Sequence, residues 1–206
     1  MPENFKFDEL VYTRPDGDLL KKTLEKLTED LKNAETYTRA REVFFEKEKL
    51  TADFHTMTTI ASIRHTVDTK DKFYDEEDEA MNELYPTVVP YLLAFSNELY
   101  DGKFRPEFEK EFGKQLFVSI EIDRKSFTEK NIPLMQREAK LCSEYEKLIA
   151  SAEISFRGEK LNLYGILKYV EDPDHDTRKE AAAAYSSFFS TNEKRMEEIW
   201  DELIHI

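Results

Sequence analysis

The sequence predicts a mainly α fold: an antiparallel helical bundle of about seven helices with one small β-hairpin near residues 153–163. Three observations lead there. Apolar residues recur every three or four positions along most of the chain, the spacing that lines one face of a helix. Glycine is scarce, five in 206 residues, against a usual ~7%. Tight turns and phosphate-cradling loops must therefore be few, which argues against a doubly wound nucleotide fold. From Glu153 the period changes to an alternation of polar and apolar residues, as in a half-buried strand. The length suits one large domain or two small ones. Hydrophobic residues at 40% and aromatics at 13% supply enough apolar surface for a core even with 36% charged residues.

Leu20, Leu24, Leu27, Leu31 and Ala34 form the first stripe, on a helix that starts near Asp16 or Asp18, either of which can cap it. Val43, Leu50, Phe54, Met57 and Ala61 form the second, on a long helix placed roughly from Glu35 to Asp68. A charged stretch, Asp68 to Glu79, precedes a third helix carrying Met81, Leu84, Val88, Leu92, Phe95 and Leu99. Pro86 and Pro90 remove backbone donors inside it, so a bend or break is expected there. Asp101-Gly102 ends that helix. The next starts at Pro106, with Phe108, Phe112, Gln115, Leu116, Ser119 and Ile120 three or four apart. A further helix runs from Pro133 to Ala152 with Leu134, Ala139, Cys142, Tyr145 and Ile149 as its stripe and Glu138 and Glu144 among the solvated positions.

Glu153-Ile154-Ser155-Phe156, a turn at Arg157-Gly158 and Glu159 to Leu163 then read as a hairpin. A short helix, Tyr164 to Val170, is stopped by Glu171-Asp172-Pro173-Asp174, and the last helix starts at Asp174 or Asp176. That helix meets no glycine, proline or polar loop before residue 206. Ile199, Trp200, Leu203, Ile204 and Ile206 give it an apolar end, which should bury against something. The expectation is a fragment of a longer protein. No repeat or flexible linker divides the chain, and the best seam is near Asp101 to Arg105. The expected division is a helical lobe over 1–102 and a second helical segment with the hairpin over 103–206.

Thirty Lys and Arg against 44 Asp and Glu leave a net charge of −14, which disfavours nucleic acid and anionic membranes as partners. Cys142 is the only cysteine, so no intrachain disulfide or multi-cysteine zinc cluster can form. Met1 to Leu10 lacks a basic run followed by an apolar stretch, and no window approaches the ~20 apolar residues of a membrane span. A soluble, cytoplasmic protein is expected.

The chemistry-bearing residues do not assemble into a site, and no catalytic, cofactor-binding or metal residue is assigned. His55, His65, His175 and His205 include no pair at the i, i+4 spacing of an HExxH zinc helix. His55 and His65 are ten residues apart on one helix, about 15 Å of axial rise, and read as surface or core-edge residues. Glu202-Leu-Ile-His205 matches the Glu-x-x-His pair of di-iron bundles, but no second such pair occurs, so an amphipathic helix is the better reading. The run Asp75-Glu76-Glu77-Asp78-Glu79 could attract a hard cation, yet it lacks the spacing of a calcium loop and reads as a solvated helix N-terminus. Cys142 on an apolar stripe reads as a buried filler. No Gly-x-Ser-x-Gly elbow is present. Phe44, Phe45, Phe188 and Phe189 read as packing rather than a base-stacking platform.

One resemblance gives these pieces a context. The hairpin Ile154-Ser-Phe-Arg-Gly-Glu-Lys-Leu-Asn, the Leu163-Tyr-Gly-Ile-Leu helix, Asp176-Thr-Arg178-Lys-Glu-Ala181 and the aromatic-rich helix to Leu203 resemble the N-terminal part of the M3 zinc metallopeptidases of the oligoendopeptidase F type. Ala61-Ser-Ile-Arg64 through Tyr100-Asp-Gly is similar, less specifically, to that family's helical N-terminal lobe. The resemblance implies an enzyme in which two histidines of an HExxH helix and a later glutamate hold zinc, and in which peptides are cleaved in a deep channel between helical lobes. This sequence contains no HExxH, and no zinc-binding or catalytic residue of the family can be carried onto it. The implied role is therefore a substrate-channel, size-gating wall, inactive alone, whose cofactor is zinc in the full-length protein. Its implied partners are its own C-terminal catalytic region and short peptides. The alternative is a non-catalytic α-helical scaffold that binds partner helices through the Leu20 to Ala34 stripe, although Thr38 and Arg41 interrupt that register.

Overall fold

The computed structural model describes residues 6–206. They divide into two compact units, the first reaching Gln136 and the second being Arg137–Ile206. Residues 1–5, part of the leader reading above, lie outside the described residues.

The first unit is built on three helices, α1 (Gly17–Asn33), α2 (Tyr37–Val67) and α3 (Lys72–Asp101), joined by connections of a few residues and packed pairwise on one another. Each starts where a side chain can accept an orphan backbone N–H. Asp16 accepts from Leu19 at 2.9 Å, Thr36 from Arg39 at 3.2 Å, and Asp71 from Phe73 at 2.9 Å. The α1 stripe of Leu20, Leu24, Leu27 and Leu31 is buried. Leu27 and Leu31 meet Val43, Phe44, Phe95, Leu99, Phe108, Phe117 and Ile120 in one cluster, while Leu20 and Leu24 meet Phe54, Ala61, Met81 and Val88 in a second. Each fully buried side chain of this size contributes roughly 1.5–3 kcal/mol. The leucine stripe proposed for partner helices is thus consumed inside its own unit.

Three expectations are corrected here. The helix expected after Glu79 begins at Lys72, so the acidic run forms the first turns of α3, with Glu77 and Asp78 buried. No break occurs at Pro86 or Pro90, and α3 is helical throughout. Side chains donate to nearby α3 carbonyls instead: Thr87 Oγ1 to Leu84 O at 2.7 Å and Gln136 Nε2 to Glu83 O at 2.9 Å. The single helix expected from Pro106 is two, α4 (Arg105–Phe112) and α5 (Lys114–Ser126). Gly113 separates them at φ 86°, ψ 163°, backbone that essentially only glycine adopts. The break raises the count to eight α-helices among the described residues.

α6 (Ile132–Ala150) begins in the first unit and continues into the second. Its buried side chain is Leu141, whereas Cys142 and Leu134 are exposed, so the stripe expected through Cys142 is rotated by one residue. The seam expected at 102/103 also differs from the structural division at 136/137, because Leu99, Phe108 and Phe117 share one core.

The second unit carries the hairpin. β1 (Ile154–Phe156) pairs antiparallel with β2 (Glu159–Leu161), Ile154 opposite Leu161 and Phe156 opposite Glu159. Arg157 at φ 50° and Gly158 at φ 84° close it, the pair of positive φ values whose twist matches that of the strands. Ile154 and Phe156 point inward with Ala152, Leu163, Ile166 and Ala181. α7 is Leu167–Val170, shorter than expected. α8 (His175–Ile204) is capped by Asp174, which accepts from Thr177 N–H at 2.8 Å and its hydroxyl at 2.7 Å. The helix expected to run to the last residue stops at Ile204, with His205 closing its final turn. Ile199 is buried there, while Trp200 and Ile204 are exposed.

Candidate functional site

The first unit contains a cavity of about 670 Å³ between α2, α3 and the segment from the end of α5 into the start of α6. Val89, Leu92, Phe127 and Met135 give it apolar walls. At one end His55 and Tyr85 lie with ring centroids 6.0 Å apart. In the wall made by α2, Lys47 is only 16% exposed. It sits on the apolar stripe between Val43 and Leu50, which brings its stem toward the interior, and the residue lines the cavity. That ammonium donates to Glu48 Oε1 at 2.9 Å and lies 5.7 Å from the Phe95 ring centroid. A second hollow of about 280 Å³ shares Leu93 and Phe127 with the first and reaches Asn97 and Arg124. Asn97 Oδ1 is buried without a hydrogen-bond donor, whereas Arg124 is engaged by both Asp101 oxygens at 3.1 and 3.0 Å.

A charged knot stands elsewhere in the same unit. Glu77, 6% exposed, accepts from Tyr12 O–H at 2.6 Å and from Arg14 Nε and Nη2 at 2.7 Å each, tying the segment before α1 to α3. The Arg14 hydrogen bonds hold its carboxyl below the usual carboxylate range, against the opposing effect of burial. Burial, and then Glu77, push the Tyr12 phenol up. Asp78 accepts from Asn82 Nδ2 at 2.9 Å. The acidic run is therefore partly interior, not the solvated turn expected. His65, expected at the surface or core edge, is 1% exposed, with Nδ1 3.6 Å from Asp75 Oδ1. Near α4, burial and then Glu111 push the Tyr37 phenol up to about 12.

The remaining candidates stay apart. Glu202 pairs with Arg137, and His205 Nδ1 lies against Asp201 O at 2.6 Å, so the two do not converge. His175 is exposed beside Asp176. Cys142 is exposed rather than the buried filler expected. Its residual burial, then Glu138 and Glu146, push its thiol up, away from the thiolate a nucleophile needs. Phe44 packs against Phe45, Phe108 and Phe112, and Phe188 against Phe189. Among the described residues no three His, Cys, Asp or Glu side chains are grouped to hold a metal ion, so these residues do not fit a zinc centre. None of the described helices is long and apolar enough to cross a membrane.

Sequence reasoning missed two features. Lys47 was legible, as a cation set on an apolar helical stripe. The Arg14–Glu77 pair joins residues 63 apart in sequence and left no periodic signal.

Solved peptidase structures share this helical architecture and its hairpin. PZ peptidase A with an inhibitor is 37% identical with a TM-score of 0.94 over 97% of this chain and 36% of that one. A protein described as oligoendopeptidase F is 36% identical with a TM-score of 0.95, over 98% of this chain and 36% of that one. Another described as oligoendopeptidase F, from Bacillus anthracis str. Ames, is 35% identical with a TM-score of 0.94, over 96% of this chain and 36% of that one. Among curated proteins nothing matches. A family profile described as Peptidase M3 N-terminal domain matches residues 7–127, more than half of the chain, and the chain belongs to that family. It spans about 36% of the length of the solved structures it matches.

Proposed function

We propose that this chain is the substrate-channel, size-gating part of a zinc-dependent oligoendopeptidase that hydrolyses internal bonds of short peptides. The observation that carries the reading is the match to M3 peptidases over nearly all of this chain but only 36% of theirs. A wall of this kind works by exclusion. Packed helices do not yield to a folded substrate, because interiors at crystal-like density resist deformation, so only a flexible peptide passes. The chain sets substrate size and donates no catalytic proton. Its partners are its own catalytic region and short peptides, and its compartment is the cytoplasm. The scaffold alternative loses its motivation, because Leu20, Leu24, Leu27 and Leu31 are buried in the first unit.

Purified alone and dialysed against zinc, the chain is expected to retain no stoichiometric metal and to leave a quenched-fluorescent oligopeptide intact. Chelator-sensitive cleavage by these 206 residues contradicts the proposal.

A further inference from the structure

We propose that the cavity of the first unit holds an arginine side chain of a bound peptide, with Asp123 as the counter-ion of its guanidinium. This deepens the oligopeptidase reading and rests on it. Three side chains that are ionised at neutral pH line the cavity: Lys47, Glu48 and Asp123. Lys47 Nζ and Glu48 Oε1 are 2.9 Å apart and neutralise one another. Asp123, on α5, has no such partner. Among the described residues its carboxylate makes neither an ion pair nor a hydrogen bond, because Arg124 beside it is engaged by Asp101 and Lys125 by Glu121. The lining therefore carries one uncompensated negative charge, and the ligand it favours is a cation. Asp123 and Tyr85 are both exposed, so this cavity is reached from solvent.

The rest of the lining selects which cation. Thr51 Oγ1 donates its proton to Lys47 O at 3.0 Å, and Ser126 Oγ donates its own to Ile122 O at 2.8 Å. A hydroxyl has one proton to give, and each of these has given it to its own helix, so a ligand meets only acceptor lone pairs. With the Asp123 carboxylate, they suit a ligand rich in donors. A guanidinium has five N–H donors and no acceptor, whereas an ammonium has three on a compact, more strongly hydrated charge. Leu92 and Met135 offer apolar surface to the methylene stem of an arginine. The exposed rings of His55 and Tyr85, with centroids 6.0 Å apart, suit a flat cation that can stack. At about 670 Å³ the cavity has room for one such side chain with part of its flanking backbone. A peptide held this way is recognised at a basic residue, a sequence preference that exclusion by size alone does not impose.

The test is calorimetric titration of the 206-residue chain, in about 0.15 M salt to screen its general acidity. The probes are N-acetyl-alanyl-arginyl-alanine amide and its citrulline and lysine counterparts, citrulline keeping the shape of arginine without its charge. The arginine peptide is expected to bind with a Kd of about 1 mM, the lysine peptide at least about threefold more weakly and the citrulline peptide at least about tenfold. Asp123→Asn is expected to lower the arginine peptide to the level of citrulline. Glu121→Gln removes an equal charge from the same helix, but Glu121 lies outside the cavity lining and pairs with Lys125 at 2.7 Å. Arginine binding by that variant is expected to stay unchanged. Equal binding of the arginine and citrulline peptides, a lysine peptide that matches arginine, undiminished binding by Asp123→Asn or an equal loss in both variants overturns the assignment. Absence of binding overturns it too. The peptide comparison uses the unaltered chain and stands even where a variant fails to fold. Because the titration reads binding without hydrolysis, a chain that supports cleavage within a whole enzyme yet shows no arginine preference sinks only the arginine site. One that shows the preference but supports no cleavage sinks only the peptidase reading.

Discussion

Phe108→Ala is expected to destabilise the first unit by about 3–5 kcal/mol, the usual cost of deleting a buried ring that its surroundings cannot refill. Phe108 is 1% exposed, and its ring centroid lies 5.1 Å from that of Tyr37, 5.5 Å from Phe44 and 5.9 Å from Phe112. These partners come from α2 and α4, so the cavity opens between two elements and neither can close it alone. Chemical denaturation should show a lower midpoint with an unchanged slope, the signature of lost stability rather than a changed unfolded state. Phe108→Leu should recover part of the loss. A decrease below about 1 kcal/mol for the alanine variant contradicts the packing described.

Glu77→Gln is the second large effect, about 2 kcal/mol at neutral pH. Three hydrogen bonds to a charged acceptor are weakened, and an amide NH₂ is turned toward donors. The figure is kept low because the Arg14 side chain is 53% exposed and water compensates it. The folded-state pKa of Glu77 is lowered, so its contribution is fully present above the ordinary glutamate value and disappears as pH falls through the lower, folded value. The stability gap between the parent chain and Glu77→Gln should therefore be widest near neutrality and shrink on acidification. Denaturant midpoints across an acid series measure it. A gap that widens toward low pH contradicts the assignment.

The helical stripes of the sequence carried the fold because burial there is periodic. Leu20, Leu24, Leu27 and Leu31 share one face whatever lies opposite, and all four are buried. The hairpin was legible for a similar local reason, since Arg157-Gly158 specifies its own turn. Features set by distant partners were not legible. Glu77 reads as a solvated acid until Tyr12 and Arg14 are brought to it. The helix rotation that exposes Cys142 and buries Leu141 depends on which neighbour α6 meets, and a stripe of mixed small and large residues fits either face. Gly113 was an available break signal, but the apolar spacing running across it suggested continuity. The candidate site was half legible: Lys47 stands out on its stripe, whereas the cavity wall from Phe127 to Met135 exists only once α5 and α6 fold back beside α3.

The most direct measurement is made on a chimera in which this chain replaces the matching N-terminal domain of an oligoendopeptidase F. The account predicts a folded, zinc-loaded protein that cleaves a short quenched peptide, stops on chelation and leaves a folded protein substrate intact. A folded, zinc-loaded chimera that ignores the peptide, or that digests the folded protein as readily, contradicts it.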